Sequence, residues 1–351
     1  MGIKAVNNGK VTLTDSGKWL FAGPFTAAGS FEEQVETSLN AAFAALSALN
    51  IRPSSIVKAD VIVTDIEKSD IVIESYRKAA GDELPVMRIV EEEALPDGSL
   101  FSVELTACPA AEISRFYLEG DVPCAVRADD FVFTAIAYPD APGSIETEAA
   151  QAVAKLLAAG AMAGAKPENF VKNFVHLTDC GNFGAFNAVY AATFTAVPAP
   201  PARSLHGVKT LPGGFSAGVE GIAYLGLDKE TVRLGEEAGD LPFCKAMKAG
   251  GLLFVSGQVG LVSPAGGYNL DIASQIPCML GILDAIANAG GVKPEQYLKV
   301  TTFARNVSDR EKYMGAYAAQ YGSIASNVSF YQVTGLAHPA ILIESDIIAE
   351  Y

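Results

Sequence analysis

The sequence predicts an α+β fold: three tandem copies of one ββαβαββ unit, closing into a pseudo-threefold assembly. Three observations predict it. The segment Pro53-Ser-Ser-Ile-Val-Lys58 returns as Pro167-Glu-Asn-Phe-Val-Lys172 and again as Pro294-Glu-Gln-Tyr-Leu-Lys299. A tyrosine follows each lysine by 18 residues, at Tyr76, Tyr190 and Tyr317. Upstream, Gln34, Gln151 and Gln275 each stand five residues before a leucine, Leu39, Leu156 and Leu280. The units are expected at residues 1–120, 121–235 and 236–351.

Within each unit the elements follow from local pattern. A short apolar strand comes first, at 19–22, 131–134 and 252–256. After a loop rich in Gly and Pro, a long helix is expected at 32–49, 146–163 and 272–287. Leu39, Phe43 and Leu46 recur there at helical spacing. Asn50, Gly164 and Gly290 serve as stop signals. A β-rich run follows (56–64, 170–178, 297–304), then a second helix around the repeated tyrosine. Two strands close the unit, as at 205–211 and 218–225. Both helices lie on one face of such a sheet, so the other faces of the three sheets are expected to bury one another.

Charge and composition exclude several function classes. With 25 Lys and Arg against 40 Asp and Glu, the net charge is -15, which disfavours nucleic acid and anionic lipid. Half the residues are hydrophobic and 19% are charged, a balance suited to a large core. Five scattered cysteines without CxxC spacing point to reduced thiols and a cytoplasmic setting. Three distant histidines, His176, His206 and His338, offer no metal-binding pattern, so neither metal nor cofactor is expected. The N-terminus lacks the apolar run of a signal peptide, and the run 149–165 is too short and weak to span a membrane.

One stretch organises the candidate chemistry. Residues 187–204, NAVYAATFTAVPAPPARS, begin as a helix, break at Pro198, Pro200 and Pro201, and deliver Arg203 to the start of an apolar run. A guanidinium there can hold a carboxylate through two parallel hydrogen bonds.

Several motifs carry a family resemblance. In the third unit, Leu241-Pro-Phe-Cys-Lys-Ala-Met-Lys-Ala-Gly250 leads into Leu253-Phe-Val-Ser-Gly-Gln258. The second unit supplies Asn187-Ala-Val-Tyr190, Pro201-Ala-Arg-Ser204 and Val219-Glu-Gly-Ile-Ala223. Together these resemble the RidA family, also called YjgF, across nearly the whole chain. The resemblance implies the chorismate mutase-like fold of that family and clefts between units. In those clefts the arginine of the PARS motif grips a substrate carboxylate and a glutamate on the last strand positions water. The activity implied is hydrolysis of reactive enamines and imines, such as 2-aminoacrylate, to a keto acid and ammonia, as in a 2-iminobutanoate/2-iminopropanoate deaminase.

The departures from that pattern are informative. In the second unit Gly218 takes the catalytic glutamate position and Glu220 the next one, on the same strand face. In the third unit Glu344 takes the catalytic position and Asp346 the second, but the arginine position falls at Asn327 or Val328. The first unit has Arg88 near the arginine position, with a one-residue shorter offset that turns it to the other face unless a bulge intervenes. Its Glu104 takes the second position.

No unit keeps both groups, so Glu344 is expected to line a different cleft from Arg203. The site residues expected are Arg203, Asn187, Tyr190 and Phe243 for a small carboxylate ligand, and Glu344 for catalysis. Cys244 is read as a buried inert thiol, His206 as structural, and Glu91-Glu92-Glu93 as a solvated turn. Alternatives on the same fold are a non-catalytic carboxylate sensor and a chorismatase-like hydrolase. A chain holding all three units is expected to be a monomer or a dimer.

Overall fold

A computed structural model describes residues 4–7, 12–234, 241–322 and 326–351. The first unit runs β1 (Lys4–Asn7), β2 (Thr12–Asp15), β3 (Leu20–Phe25), α1 (Phe31–Ala48), β4 (Ile56–Val63), α2 (Ser69–Ala80), β5 (Val86–Glu91) and β6 (Phe101–Ala107). The second repeats it as β7 (Ile113–Phe116), β8 (Ala125–Ala128), β9 (Phe131–Thr134), α3 (Ile145–Met162), β10 (Phe170–Leu177), α4 (Phe183–Phe194), β11 (Ala202–Gly207) and β12 (Ala217–Tyr224). The third has β13 (Lys229–Val232), β14 (Ala246–Ala249), β15 (Leu252–Val255), β16 (Gln258–Val259), α5 (Ile272–Ala289), β17 (Tyr297–Ala304), α6 (Arg310–Tyr321), β18 (Asn327–Gln332) and β19 (Ile343–Glu350).

Each unit is therefore the expected ββαβαββ pattern with one more strand at its start, and the third adds the short β16, which pairs with β19. The strand at the start forms a hairpin with its successor and extends the sheet, giving the orders β1-β2-β3-β6-β4-β5, β7-β8-β9-β12-β10-β11 and β13-β14-β15-β19-β17-β18. Because β7 pairs with β8 and β13 with β14, the second and third sheets begin at Ile113 and Lys229, ahead of the expected unit boundaries. In each sheet the edge strand β5, β11 or β18 pairs parallel to its neighbour.

Local chemistry sets the helix ends. Ser30 caps α1 in a reciprocal box with Glu33; Ser144 and Asp271 cap α3 and α5 at the equivalent place. The long helices end where Asn50, Gly164 and Gly291 turn left-handed, at φ of 58°, 92° and 78°. Gly290, the expected stop, is the C-cap residue of α5, just before Gly291. Among the described residues α5 is the one helix long and apolar enough to cross a membrane, rather than the run in α3; its Ile276, Leu280, Leu283 and Ile286 pack on the third sheet.

Helices and sheet form one core per unit, each including its repeated tyrosine: Tyr76, Tyr190 and Tyr317. The opposite sheet faces meet in a common cluster built from all three units, with Phe21, Phe133 and Phe254 at matching positions. Beside it the repeated lysines, all buried, make contacts in a ring. Lys58 reaches Glu220 of the second unit at 2.8 Å, Lys172 reaches Asp346 of the third at 3.0 Å, and Lys299 returns to Glu104 of the first at 3.2 Å.

Arg88 joins this network. Strand β5 pairs Asp60 with Arg88, whereas β11 pairs the preceding position, Asn173, with Arg203. Met87 thus holds the register of Arg203, and Arg88 faces inward to Asp60 at 3.1 Å. No bulge interrupts the β4–β5 pairing, so the slip is uncorrected. Four cations (Lys58, Arg88, Lys172, Lys299) then meet four carboxylates (Asp60, Glu104, Glu220, Asp346), which satisfies the requirement that buried charges be paired.

The expected solvated turn at Glu91-Glu92-Glu93 is not one. Glu91 and Glu92 are buried because the second unit packs over them: Lys209 pairs with Glu91 at 2.6 Å, and His206 lies 3.8 Å from Glu92. His206 itself is buried against His176 and Phe303, on the face opposite Arg203, as a structural residue.

Candidate functional site

The site lies where β11, the edge of the second sheet, meets the third unit. Ala202 bridges to Cys244; the Arg203 amide donates to Ser256 Oγ at 2.8 Å, and its carbonyl accepts from Gly257 N–H at 3.0 Å. Two units therefore fix the backbone of Arg203 from both sides. Its side chain is 5% exposed. Nη1 donates to Asn187 Oδ1 on α4 at 2.7 Å, and the guanidinium carbon sits 4.3 Å from the Phe243 ring centre and 4.9 Å from that of Tyr190. Phe183, at the start of α4, completes the surround at 5.8 Å.

Among the described residues no carboxylate lies within 4.0 Å of this guanidinium. Burial lowers its pKa from the ordinary 12.5, but an arginine stays charged in proteins. A buried cation surrounded by aromatic rings, with most of its donors unused, has the chemistry to receive a planar anion.

Asn187, Tyr190, Phe243 and Arg203 thus come together as the sequence predicts. Tyr190 serves two roles: it is fully buried in the α4–sheet core, and its hydroxyl accepts from Asn173 Nδ2 at 2.8 Å. Cys244 is buried with its thiol directed to the Ala246 carbonyl at 3.2 Å, as expected of an inert thiol.

Glu344 is where expectation and structure part. It does not line a different cleft. On β19 it stands opposite Val259, 5% exposed, with its carboxyl against the backbone N–H of Leu205, two residues beyond Arg203 on β11. Its other neighbour is Gly257: a Cβ there would lie 1.8 Å from Glu344 Oε1. The same glycine donates its N–H to Arg203, so one residue separates the arginine backbone from the acid. The second unit keeps the arginine without the acid and the third the acid without the arginine, and the two groups approach each other where these units meet.

The electrostatics of Glu344 follow from this placement. Burial, then the nearby Asp346 carboxylate, push its pKa up to about 8; Lys172, Leu205 N–H and Arg203 pull the other way. At neutral pH it is mostly a neutral acid, able to give a proton and take one back.

The other two clefts differ. In the first–second cleft Met87 and Gly218 hold the registers of Arg203 and Glu344. Ile136 and Tyr138 fill that space, 2.8 Å and 3.3 Å from a Cβ placed on Gly218. In the third–first cleft the two registers hold Val328 and Ser102. Sequence reasoning missed the roles of Ser256, Gly257, Leu205 and Phe183. The first two lie in the SGQ segment of the family resemblance, whereas Leu205 and Phe183 carry no sequence signal of their own.

Comparison with known proteins gives the family and the fold. The family described as Endoribonuclease L-PSP matches residues 120–225 and 237–351. A RutC family protein of Synechocystis sp. is 35% identical over 109 residues, 29% of this chain and 83% of that protein. The 2-iminobutanoate/2-iminopropanoate deaminase of Mus musculus is 36% identical over 85 residues, 24% of this chain and 62% of its own length. The crystal structure of a chorismatase aligns with a TM-score of 0.59 at 13% identity, covering 84% of this chain and 93% of that one, a likeness of fold.

Proposed function

The chain belongs to the Endoribonuclease L-PSP (RidA/YjgF) family, and from that premise we propose that it is an enamine/imine hydrolase acting on a small 2-amino- or 2-imino-carboxylate. The observation that carries the proposal is the meeting of Arg203 and Glu344 in one cleft. A substrate carboxylate lies in the fork of Arg203, its flat conjugated body beside the Phe243 ring. Glu344, protonated at neutral pH, gives its proton to the terminal carbon of 2-aminoacrylate, converting enamine to iminium. Water then adds to the iminium carbon while the Glu344 carboxylate takes a proton from it. The resulting carbinolamine expels ammonia and leaves the keto acid, with Glu344 protonated as at the start.

On this reading three family units folded from one chain act as a trimer with one equipped cleft. The test is ammonia release from 2-aminoacrylate generated enzymatically in place. Wild type is expected to accelerate release. Arg203→Ala should lose it through weakened binding, and Glu344→Gln should lose turnover while retaining keto-acid affinity. A Glu344→Gln variant as active as wild type would overturn the assigned role. Wild type without activity, alongside Arg203-dependent binding of keto acids, would make the cleft a carboxylate sensor.

A further inference from the structure

The third–first cleft has lost the strand arginine and the glutamate, yet it is not closed. A cavity of about 520 Å³ occupies it, within the range of small-ligand sites. Pro24, Ala27, Val328 and Phe330 form apolar wall, and Ser102 Oγ, in a residue 1% exposed, has no hydrogen-bond partner.

Two charges of opposite sign line the same cavity. Arg310 is the first residue of α6, the position that Phe183 holds in α4 at 5.8 Å from the Arg203 guanidinium. The third unit thus brings a guanidinium to its cleft from the helix start, where the second unit brings one from the strand. Arg310 is half-buried, and among the described residues it forms no ion pair; its neighbour Asp309 pairs with Lys312 instead. Asp97 is exposed in the turn after β5 and likewise forms none. The two therefore stand more than 4.0 Å apart in one cavity.

We propose that this cleft is a second, non-catalytic site for a small molecule carrying both a carboxylate and an ammonium group, an α-amino acid with an apolar side chain. Its carboxylate meets Arg310, its ammonium meets Asp97, and its side chain lies on Val328 and Phe330. A zwitterion satisfies both charges. A plain anion would face Asp97 unpaired, and a plain amine would face Arg310, so the pair selects against either. Ser102 in the register of Glu344 leaves no acid to move a proton at that position, so binding there proceeds without turnover.

The experiment is calorimetric titration of wild type and of Arg203→Ala, which removes the carboxylate grip of the other cleft. The probes are L-alanine, L-valine, L-leucine and L-phenylalanine, with isobutylamine and 3-methyl-2-oxobutanoate as the single-charge analogues of valine. At least one amino acid is expected to bind once per chain, equally in wild type and Arg203→Ala. Arg310→Gln, at a half-buried position, and Asp97→Asn, at an exposed one, both checked for unchanged melting, should each weaken it about tenfold or more. Neither analogue should match valine in Arg203→Ala. No binding by any of the four at millimolar concentration would overturn the proposal. So would binding abolished by Arg203→Ala and indifferent to Arg310→Gln, or a keto acid held in Arg203→Ala as tightly as valine with Asp97→Asn without effect.

Discussion

Arg203 and Glu344 carry the proposed site, and each makes a measurable prediction. Arg203→Ala removes a charge-assisted pair contributing about 1.5–3 kcal/mol, so keto-acid affinity by calorimetry should fall about 10- to 150-fold. Arg203→Lys should recover only part of it, because an ammonium cannot reproduce the fork of a guanidinium that also donates to Asn187 and lies against Phe243. For Glu344 the consequence lies in stability. Its pKa is about 8 in the fold against an ordinary 4.5, so the native chain holds this proton more tightly than the unfolded one. The stability it contributes is fully present below pH 4.5 and is lost as pH rises through about 8. Glu344→Gln removes that loss. Denaturant midpoints of the variant should gain on wild type between those two pH values and hold a constant lead above them. A difference that does not change with pH would mean that the carboxyl titrates normally.

At the scale of elements, register decides which residues reach the cleft. A one-residue slip of β5 relative to β11 is enough to turn Arg88 from the cleft into the ion network. That slip was legible in the sequence as a short offset; its uncorrected outcome needed the strand pairing. The loop after β15 works on a finer tolerance. A methyl on Gly257 would fall 1.8 Å from Glu344 Oε1 and 2.5 Å from its carboxyl carbon. The carboxyl is the far end of a flexible side chain, so Gly257→Ala should fold, with the acid swung out of place. Misplacement by about 1 Å can lower a rate by about a hundredfold, so ammonia release should drop at least tenfold while the melting temperature changes little. Unchanged turnover in Gly257→Ala would show that Glu344 works from another position.

For the whole molecule, the ring from Lys58 to Glu220, Lys172 to Asp346 and Lys299 to Glu104 closes within one chain. The faces of the three sheets are buried against one another within the chain. Light scattering should therefore give a mass near 36.7 kDa or twice that; a mass near three chains would contradict it. By itself the sequence determined the three repeats, their helices and central strands, and the grouping of Arg203 with Asn187, Tyr190 and Phe243. Those features are local, written in periodicity and in motifs a few residues long. Only the tertiary structure decided that Glu344 joins Arg203, that Glu91 and Glu92 are buried, and that one cleft is filled by Tyr138 while another stays open. These depend on which sheet edge packs against which, and a contact between units far apart in sequence leaves no periodic trace in either.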